Sequence, residues 1–254
     1  MTLLSKGDIE EQIKTGKLAS WKETRYSTFK ETMTDDETPY PCFFAVEAQK
    51  NGYFRYSFPG DPTDEDALDI LADDLAEFVE VYSDLDEYPA IVILFEPTET
   101  DLSAETYKTQ FWDTLSYLQE VDPKPWPATV PTDPNHPKWE YCYAGEPLFV
   151  VGRAPFYKAR RSRYTPHGLE ITMQPGGVFD NLTGLDDSGQ EARTIIRERQ
   201  AEYDDVERHP DIGDLIDPRA RQWKQFLLPE TNEESVVRCP LPERSDVEGR
   251  TDSE

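Results

Sequence analysis

The sequence predicts a single α+β domain, in which a mostly antiparallel sheet of about six strands packs with helices. Short apolar runs bounded by Gly, Pro, Asn and Asp recur along the chain and are typical of strands. Longer segments between them repeat apolar residues every three or four positions, as amphipathic helices do. At 254 residues the chain can bury one large core. We assign residues 1–230 to this domain and expect the acidic residues 231–254 to form a disordered tail.

Helical periodicity at the start of the chain predicts helices over residues 8–15 and 20–34. The second helix is expected to turn these side chains toward the core: Trp21, Tyr26, Phe29 and Met33. Two strands, Cys42–Gln49 and Tyr53–Phe58, are predicted next. They flank Lys50-Asn51-Gly52, and a short Asn-Gly connection is a strong hairpin signal.

The clearest amphipathic pattern covers residues 63–82 and predicts a helix whose aspartates form a solvated face. Thr63 and Asp66 have the spacing of a capping box at its start. The continuous apolar run Ala90–Glu96 then predicts a central strand that is buried on both faces. Ser103 is expected to cap a further helix.

The second half of the chain begins with a rigid connection, because six prolines lie between Asp122 and Pro137. Alternating or short apolar runs predict three strands after it: Trp139–Tyr143, Leu148–Val151 and Leu169–Met173. Helices are predicted over residues 188–206 and Pro218–Leu228.

Charge and composition restrict the class of protein. There are 52 acidic and 26 basic residues, which give a net charge of -26. Such a surface repels nucleic acid and anionic membranes, so we expect neither as a partner. We interpret the acidity as adaptation to a salt-rich cytosol, where the Debye length is only ~3 Å at 1 M salt. We expect a cytoplasmic protein with reduced thiols, since no signal peptide or membrane span is apparent and the three cysteines lack metal-ligand spacing.

One segment reverses the charge of the rest. Between Arg153 and Arg163, which we call the basic loop, there are five basic residues and no acid. Guanidinium groups bind carboxylates and phosphates in pairs of hydrogen bonds, so Arg160, Arg161 and Arg163 could hold a small anion. They could equally pair with the many surface acids. Alternation in an extended chain would place Arg161 and Arg163 on one face and Arg160 on the other.

Several short fingerprints recur in a recognisable order. In chain order they are Tyr40-Pro41-Cys42-Phe43-Phe44, Trp139-Glu140-Tyr141-Cys142-Tyr143 with Gly145, Pro155 followed by Arg160-x-Ser162-Arg163, Gln174-Pro175 followed by Phe179-Asp180, and His209-Pro210-x-x-Gly213 with Trp223-Lys224-Gln225. Each is weak alone. Together they resemble the YqcI/YcgG family over residues 20 to 230, which is nearly the whole chain.

The resemblance implies an oxidoreductase function. A related branch is similar to haem-dependent N-oxygenases, which hydroxylate a guanidinium-type nitrogen of arginine or of an arginine-derived amino acid. Haem is therefore the cofactor that the resemblance implies. That branch carries Asn-Pro-His after the last core strand, where this chain has Gln174-Pro175-Gly176. Uncharacterised members often carry histidine where Tyr157 stands here.

Axial ligation of haem iron requires His, Cys, Met or Tyr. His167, which follows the basic loop and precedes a strand, is the best placed of the three histidines, although an ordinary loop role is the alternative. Tyr157 and Cys142 rank below it. His136 and His209 are expected at the surface or at a helix end.

Two hypotheses of function follow. The first is a haem-dependent, N-oxygenase-like oxidoreductase that acts on a small nitrogenous metabolite. Its cofactor-binding residues would be Arg161, Arg163, Arg160 and His167. The alternative is a haem-free protein that binds a small anion or metabolite without catalysis. In either case the partner is a small-molecule anion or an amino-acid-like substrate.

Overall fold

The computed structural model describes residues 2–85, 88–98, 100, 102–179, 187–213 and 219–242, which form six α helices and six strands. The helices are α1 (Lys6–Lys14), α2 (Ser20–Thr34), α3 (Phe43–Asn51), α4 (Glu65–Val81), α5 (Ala104–Glu120) and α6 (Asp187–Tyr203). The strands are β1 (Leu4–Ser5), β2 (Phe54–Ser57), β3 (Ala90–Leu94), β4 (Tyr141–Tyr143), β5 (Glu146–Arg153) and β6 (Glu170–Pro175).

All six strands form one sheet in the order β1-β2-β3-β6-β5-β4. β2 and β3 are parallel because helix α4 crosses over between them, and every other neighbouring pair is antiparallel. β5 and β6 pair from Leu148 opposite Pro175 to Arg153 opposite Glu170. The predicted α+β fold with a mostly antiparallel sheet is confirmed.

Helices cover both faces of the sheet. Ile91 and Ile93 of β3 point into a core that includes residues of α4 and α5. Val92 and Leu94 point to the opposite face and join a second core with residues of α1, α2 and α3. All five residues of β3 are therefore buried, as the continuous apolar run predicted.

Several predicted elements are confirmed with small shifts at their ends. The helices predicted over 8–15, 20–34 and 188–206 correspond to α1, α2 and α6. Ser103 caps α5 by accepting a hydrogen bond from the Thr106 amide at 3.1 Å. On α2, Tyr26, Phe29 and Met33 are buried as expected, whereas Trp21 is half-buried.

The prediction of a strand over Cys42–Gln49 is wrong, because this segment forms helix α3. The Asn51-Gly52 pair does not turn a hairpin. Gly52 instead adopts a left-handed conformation (φ 79°) and ends the helix, with its amide bonded to the Ala48 carbonyl. Glycine is common both in hairpin turns and at helix ends. Phe44 and Ala48 are both buried, and residues four positions apart lie on the same face of a helix, so burial of this face favours the helix.

The start of α4 also differs from the prediction. Its N-cap is Asp64, whose carboxylate accepts from the Asp66 amide at 3.1 Å, while Thr63 binds Asp61 in the preceding turn. The aspartates of this helix are not all solvated. Asp74 is buried and accepts hydrogen bonds from the hydroxyls of Thr2 and Ser57.

The C-terminal part of the described chain packs against the sheet. The predicted helix Pro218–Leu228 is wrong for the residues that the structure describes, which form only a 3-10 turn over Gln222–Gln225. The Phe226 carbonyl binds the Gly152 amide of β5 at 2.7 Å instead of a helical partner. Within the expected disordered tail 231–254, Cys239 and Leu241 are buried in the core, and residues 243–254 lie outside the described residues. Among the described helices, none combines the length and apolar composition that crossing a bilayer requires.

Candidate functional site

The three arginines of the basic loop that were predicted to hold an anion, Arg160, Arg161 and Arg163, have different surroundings. Residues Arg161–Arg163 form a 3-10 turn, in which successive side chains are about 120° apart. The expectation that Arg161 and Arg163 share one face therefore fails, since it assumed an extended chain. Arg160 precedes the turn and is fully buried, Arg161 is exposed, and Arg163 is half-buried.

Two of these arginines hold the C-terminal segment against the sheet. The Arg160 guanidinium donates to the Pro229 carbonyl and to the Asn232 side chain, both at 2.9 Å. The Arg163 guanidinium donates to the carbonyls of Gln225 at 3.1 Å and Phe226 at 3.2 Å. Burial lowers the pKa of both guanidinium groups from the ordinary value for arginine. Their hydrogen bonds make them structural ties within this chain.

Arg161 is exposed, and its guanidinium lies beside the end of helix α6 and not against the C-terminal segment. Its guanidinium carbon lies 5.1 Å from the ring centroid of Tyr203, the last residue of α6. The Tyr203 and Tyr40 rings pack in an edge-to-face arrangement with their centroids 5.8 Å apart. A cation over an aromatic face is attracted by the ring quadrupole.

Tyr40 ties two of the sequence fingerprints together. Its hydroxyl donates to the Ser162 carbonyl at 3.0 Å. The amide and hydroxyl of Ser162 both donate to the Asp204 carboxylate, at 2.6 and 2.9 Å. The first fingerprint, the basic loop and the end of α6 therefore meet at one place, although more than 100 residues separate the first from the others.

Two neighbouring cavities open beside Tyr203, and we call them together the Tyr203 groove. One has a volume of about 450 Å³ and is lined by Glu31, Thr32, Thr34, Asp35 and Tyr203. The other, of about 350 Å³, is lined by Glu37, Thr38, Pro39, Arg199, Glu202 and Tyr203. The lining thus carries four carboxylates, one guanidinium and one aromatic ring, a set that suits a small organic cation with an anionic end.

His167 lies in the turn before β6. It is half-buried, and among the described residues it has no hydrogen-bond partner. Burial lowers the pKa of its imidazole from 6.5, and the nearby Arg25 guanidinium lowers it further. The imidazole is therefore neutral at pH 7, which is the form that binds a metal.

The other candidate ligands have protein partners. His209 accepts the Asp211 amide at Nδ1 and lies 3.2 Å from the Glu234 carbonyl through Nε2. His136 accepts the Lys138 amide at Nδ1. The remaining two candidates are buried: the Tyr157 hydroxyl donates to the Leu228 carbonyl, and the Cys142 thiol lies 3.5 Å from the Glu140 carbonyl.

Gly176, which stands where the resemblance would place histidine, follows β6 directly. A Cβ atom at this position would lie 3.3 Å from Oε1 of Glu140 and 3.6 Å from the Pro147 carbonyl. Glu140 also accepts from Gln222 at 3.2 Å. Gly176 therefore lies next to the Glu140 carboxylate but has no side chain that could interact with it.

Sequence reasoning did not identify Arg25, Glu170, Arg199 or Tyr203 as residues of a site. Tyr203 falls inside the helix predicted over residues 188–206, and Glu170 stands alone in an apolar strand. The one signal present was the isolated acid in that strand, because a buried charge needs a partner. The partner of Glu170 is Arg153, its cross-strand neighbour.

Comparisons with known proteins place the chain among bacterial relatives of similar length. It is 36% identical over 228 residues to the uncharacterized protein YcgG of Bacillus subtilis (strain 168), which covers 88% of this chain and 89% of the relative. It is 32% identical over 242 residues to the uncharacterized protein YqcI of the same strain, with 94% of each chain covered. The putative N(omega)-hydroxy-L-arginine synthase DcsA of Streptomyces lavendulae is 30% identical over 229 residues, covering 88% of this chain and 85% of that protein. No solved structure matches the chain significantly.

The family match agrees with the fingerprints. The sequence model that describes the YqcI/YcgG family matches residues 29–242, which include all five fingerprints and the Tyr203 groove. This chain belongs to the YqcI/YcgG family.

Proposed function

We propose that this protein is an N-oxygenase-like oxidoreductase that acts on a small amino-acid-like metabolite with a guanidinium or amine group. The observation that carries the proposal is the match over 88% of the chain to a protein named as a putative N(omega)-hydroxy-L-arginine synthase. The Tyr203 groove supports it, because four carboxylates and an aromatic face suit a guanidinium, and Arg199 suits the carboxylate at the other end of an amino acid.

Haem is the proposed cofactor, and His167 is the residue that would hold its iron. The imidazole is neutral, partly accessible and not hydrogen-bonded to any described residue. Bound haem would supply activation of oxygen. Among the arginines that we predicted for the anionic edge of the cofactor, Arg161 has an exposed guanidinium, whereas Arg160 and Arg163 are hydrogen-bonded to the C-terminal segment.

Within the Tyr203 groove the chain would bind and orient the substrate. Tyr203 would contact the cationic group, and its ring packs against Tyr40 in an edge-to-face arrangement. Arg199, whose guanidinium lies 5.7 Å from the Phe43 ring centroid, would hold the substrate carboxylate. Orientation of the nitrogen toward the reacting centre is the contribution that these residues would make to catalysis.

The cofactor part of the proposal is tested by an absorption spectrum. Protein expressed with a haem precursor should show a Soret band, and His167→Gln should remove or shift it. His136→Gln, a matched change outside the site, should leave the band unaltered. Purified protein without any Soret band would refute haem binding and would favour the haem-free binding protein.

The substrate part is tested by calorimetry with two probes. L-arginine has both a guanidinium and a carboxylate, whereas agmatine lacks the carboxylate. Arg199→Gln should weaken L-arginine binding and leave agmatine binding unchanged, and Tyr203→Ala should weaken both by about 2- to 30-fold. Arg197→Gln, an exposed arginine of α6 outside the groove lining, is the control. Equal effects of Arg199→Gln and Arg197→Gln on L-arginine would refute the assignment of the groove.

A further inference from the structure

A buried charge cluster lies on the side of the sheet that faces α2. Arg153 ends β5 and Glu170 begins β6, and the two residues are cross-strand neighbours whose side chains form an ion pair at 2.5 Å. Arg25 reaches the same region from α2. Arg25 is 1% exposed, Arg153 2% and Glu170 1%, so no part of the cluster is solvated.

Both arginines also hold the turn that connects the basic loop to β6. Arg25 donates to the Thr165 hydroxyl at 3.2 Å and to the Leu169 carbonyl at 2.5 Å. Arg153 donates to the Tyr164 carbonyl at 2.6 Å in addition to Glu170. These acceptors leave part of each guanidinium unsatisfied. The Nε atoms of Arg25 and Arg153 are both buried without a hydrogen-bond partner among the residues that the structure describes.

The charges of the cluster do not balance among the described residues. Among the described partners of the two guanidinium groups only Glu170 is charged, and it pairs with Arg153, whereas Arg25 donates to neutral acceptors. Burial lowers the pKa of Arg25 to about 10, Glu170 acts against this shift, and Arg153 adds to it, which indicates that the two cations repel each other. A buried charge without a counter-charge is costly, and a buried N–H without an acceptor adds to that cost.

We propose that the Arg25–Arg153 cluster binds one small inorganic monovalent anion, of the size of chloride, through the Nε–H groups of both arginines. One negative charge would neutralise the excess that Glu170 leaves and would supply the missing acceptor. Both Nε–H groups are buried, and the Tyr40 ring covers one side of Arg153, with its centroid 5.6 Å from the guanidinium carbon. A small anion is therefore preferred over a large one.

Thermal unfolding of the full chain tests the proposal. The melting temperature is compared in sodium chloride and sodium gluconate mixtures at a constant ionic strength of about 1 M, so that screening of the surface acids is the same throughout. We expect the melting temperature to rise saturably with the chloride fraction, because an anion that binds only the folded state stabilises it by mass action. Equal melting temperatures in the two salts would overturn the proposal.

Two variants separate the cluster from other anion sites. Arg25→Met leaves Arg153 and Glu170 as a balanced pair and should abolish the chloride-specific rise. Arg161→Met removes an exposed arginine of the basic loop and should retain the full rise. A chloride-specific rise that persists in Arg25→Met would place the anion elsewhere and overturn the proposal.

Crystallography of the unmodified protein gives an answer that does not depend on a variant folding. Crystals grown in sodium bromide should show an anomalous peak within hydrogen-bond distance of Nε of both Arg25 and Arg153. A water molecule there, with bromide only at the surface, would overturn the proposal.

Discussion

Replacing Glu170 with glutamine would remove the carboxylate that pairs with Arg153 and leave two buried guanidinium groups without a negative partner in the described part of the chain. The substitution preserves the size of the side chain, so the loss of stability reports the charge and not a cavity. Removing one member of a buried ion pair typically costs about 3–5 kcal/mol. For a domain of this size, that corresponds to a fall in melting temperature of about 6–20 °C.

Removing one arginine should have a smaller effect, because it corrects the imbalance. Arg25→Met loses the hydrogen bonds to Thr165 and Leu169, each worth about 1.5–3 kcal/mol because the donor is charged. It also removes the excess charge, which offsets part of that loss. We expect a net cost smaller than that of Glu170→Gln.

The assay is urea unfolding in sodium gluconate buffer. The proposed anion is absent from this buffer, and the same salt concentration screens the surface charges of every variant equally. The matched control is Glu10→Gln, which breaks the Lys30–Glu10 pair at 2.9 Å, whose side chains are 43% and 42% exposed. An exposed pair contributes at most about 1 kcal/mol. A cost for Glu170→Gln no larger than that for Glu10→Gln, or smaller than that for Arg25→Met, would refute the charge imbalance that we infer.

Three further predictions concern pH, packing and salt. Burial lowers the pKa of His209 below 6.5, so the folded state binds a proton there less readily and the free energy of unfolding falls as pH drops below 6.5. When the free energy of unfolding is measured from pH 8 to 5, its dependence on pH should be weaker in His209→Gln and unchanged in His136→Gln. A Cβ on Gly152 would lie 2.7 Å from atoms of both Leu227 and Phe111, so Gly152→Ala should cost about 1–3 kcal/mol in urea unfolding, whereas Gly7→Ala in helix α1 should stabilise by up to about 1 kcal/mol. If the acidic surface is an adaptation to salt, the melting temperature should fall steeply between molar and millimolar salt, and an unchanged value would contradict that interpretation.

Local sequence patterns were sufficient to predict the elements that are specified by the spacing of their own apolar residues. The spacing of apolar residues predicted α1, α2, α5 and α6, and the uninterrupted apolar run predicted the doubly buried β3. These signals are reliable because a helix or a central strand needs a periodic or continuous apolar surface wherever it packs.

The pattern failed where one local signal serves two structures. Asn51-Gly52 suits a hairpin turn and also the end of a helix, and the contacts of Phe44 and Ala48 with other elements decided between them. The segment near Phe226 has an amphipathic pattern, yet β5 and Arg163 take up its carbonyls. Tertiary hydrogen bonds outweighed a weak helical preference there.

By itself the sequence determined the fold class, the acidic surface, the basic loop and the family fingerprints. Only the tertiary structure decided what each arginine does. Arg160 and Arg163 bind carbonyls more than 60 residues away, Arg161 faces Tyr203, and Arg153 pairs with Glu170. The reason is that a guanidinium binds whichever acceptors the fold brings near it, and those partners are distant in the chain, so no spacing in the sequence records them.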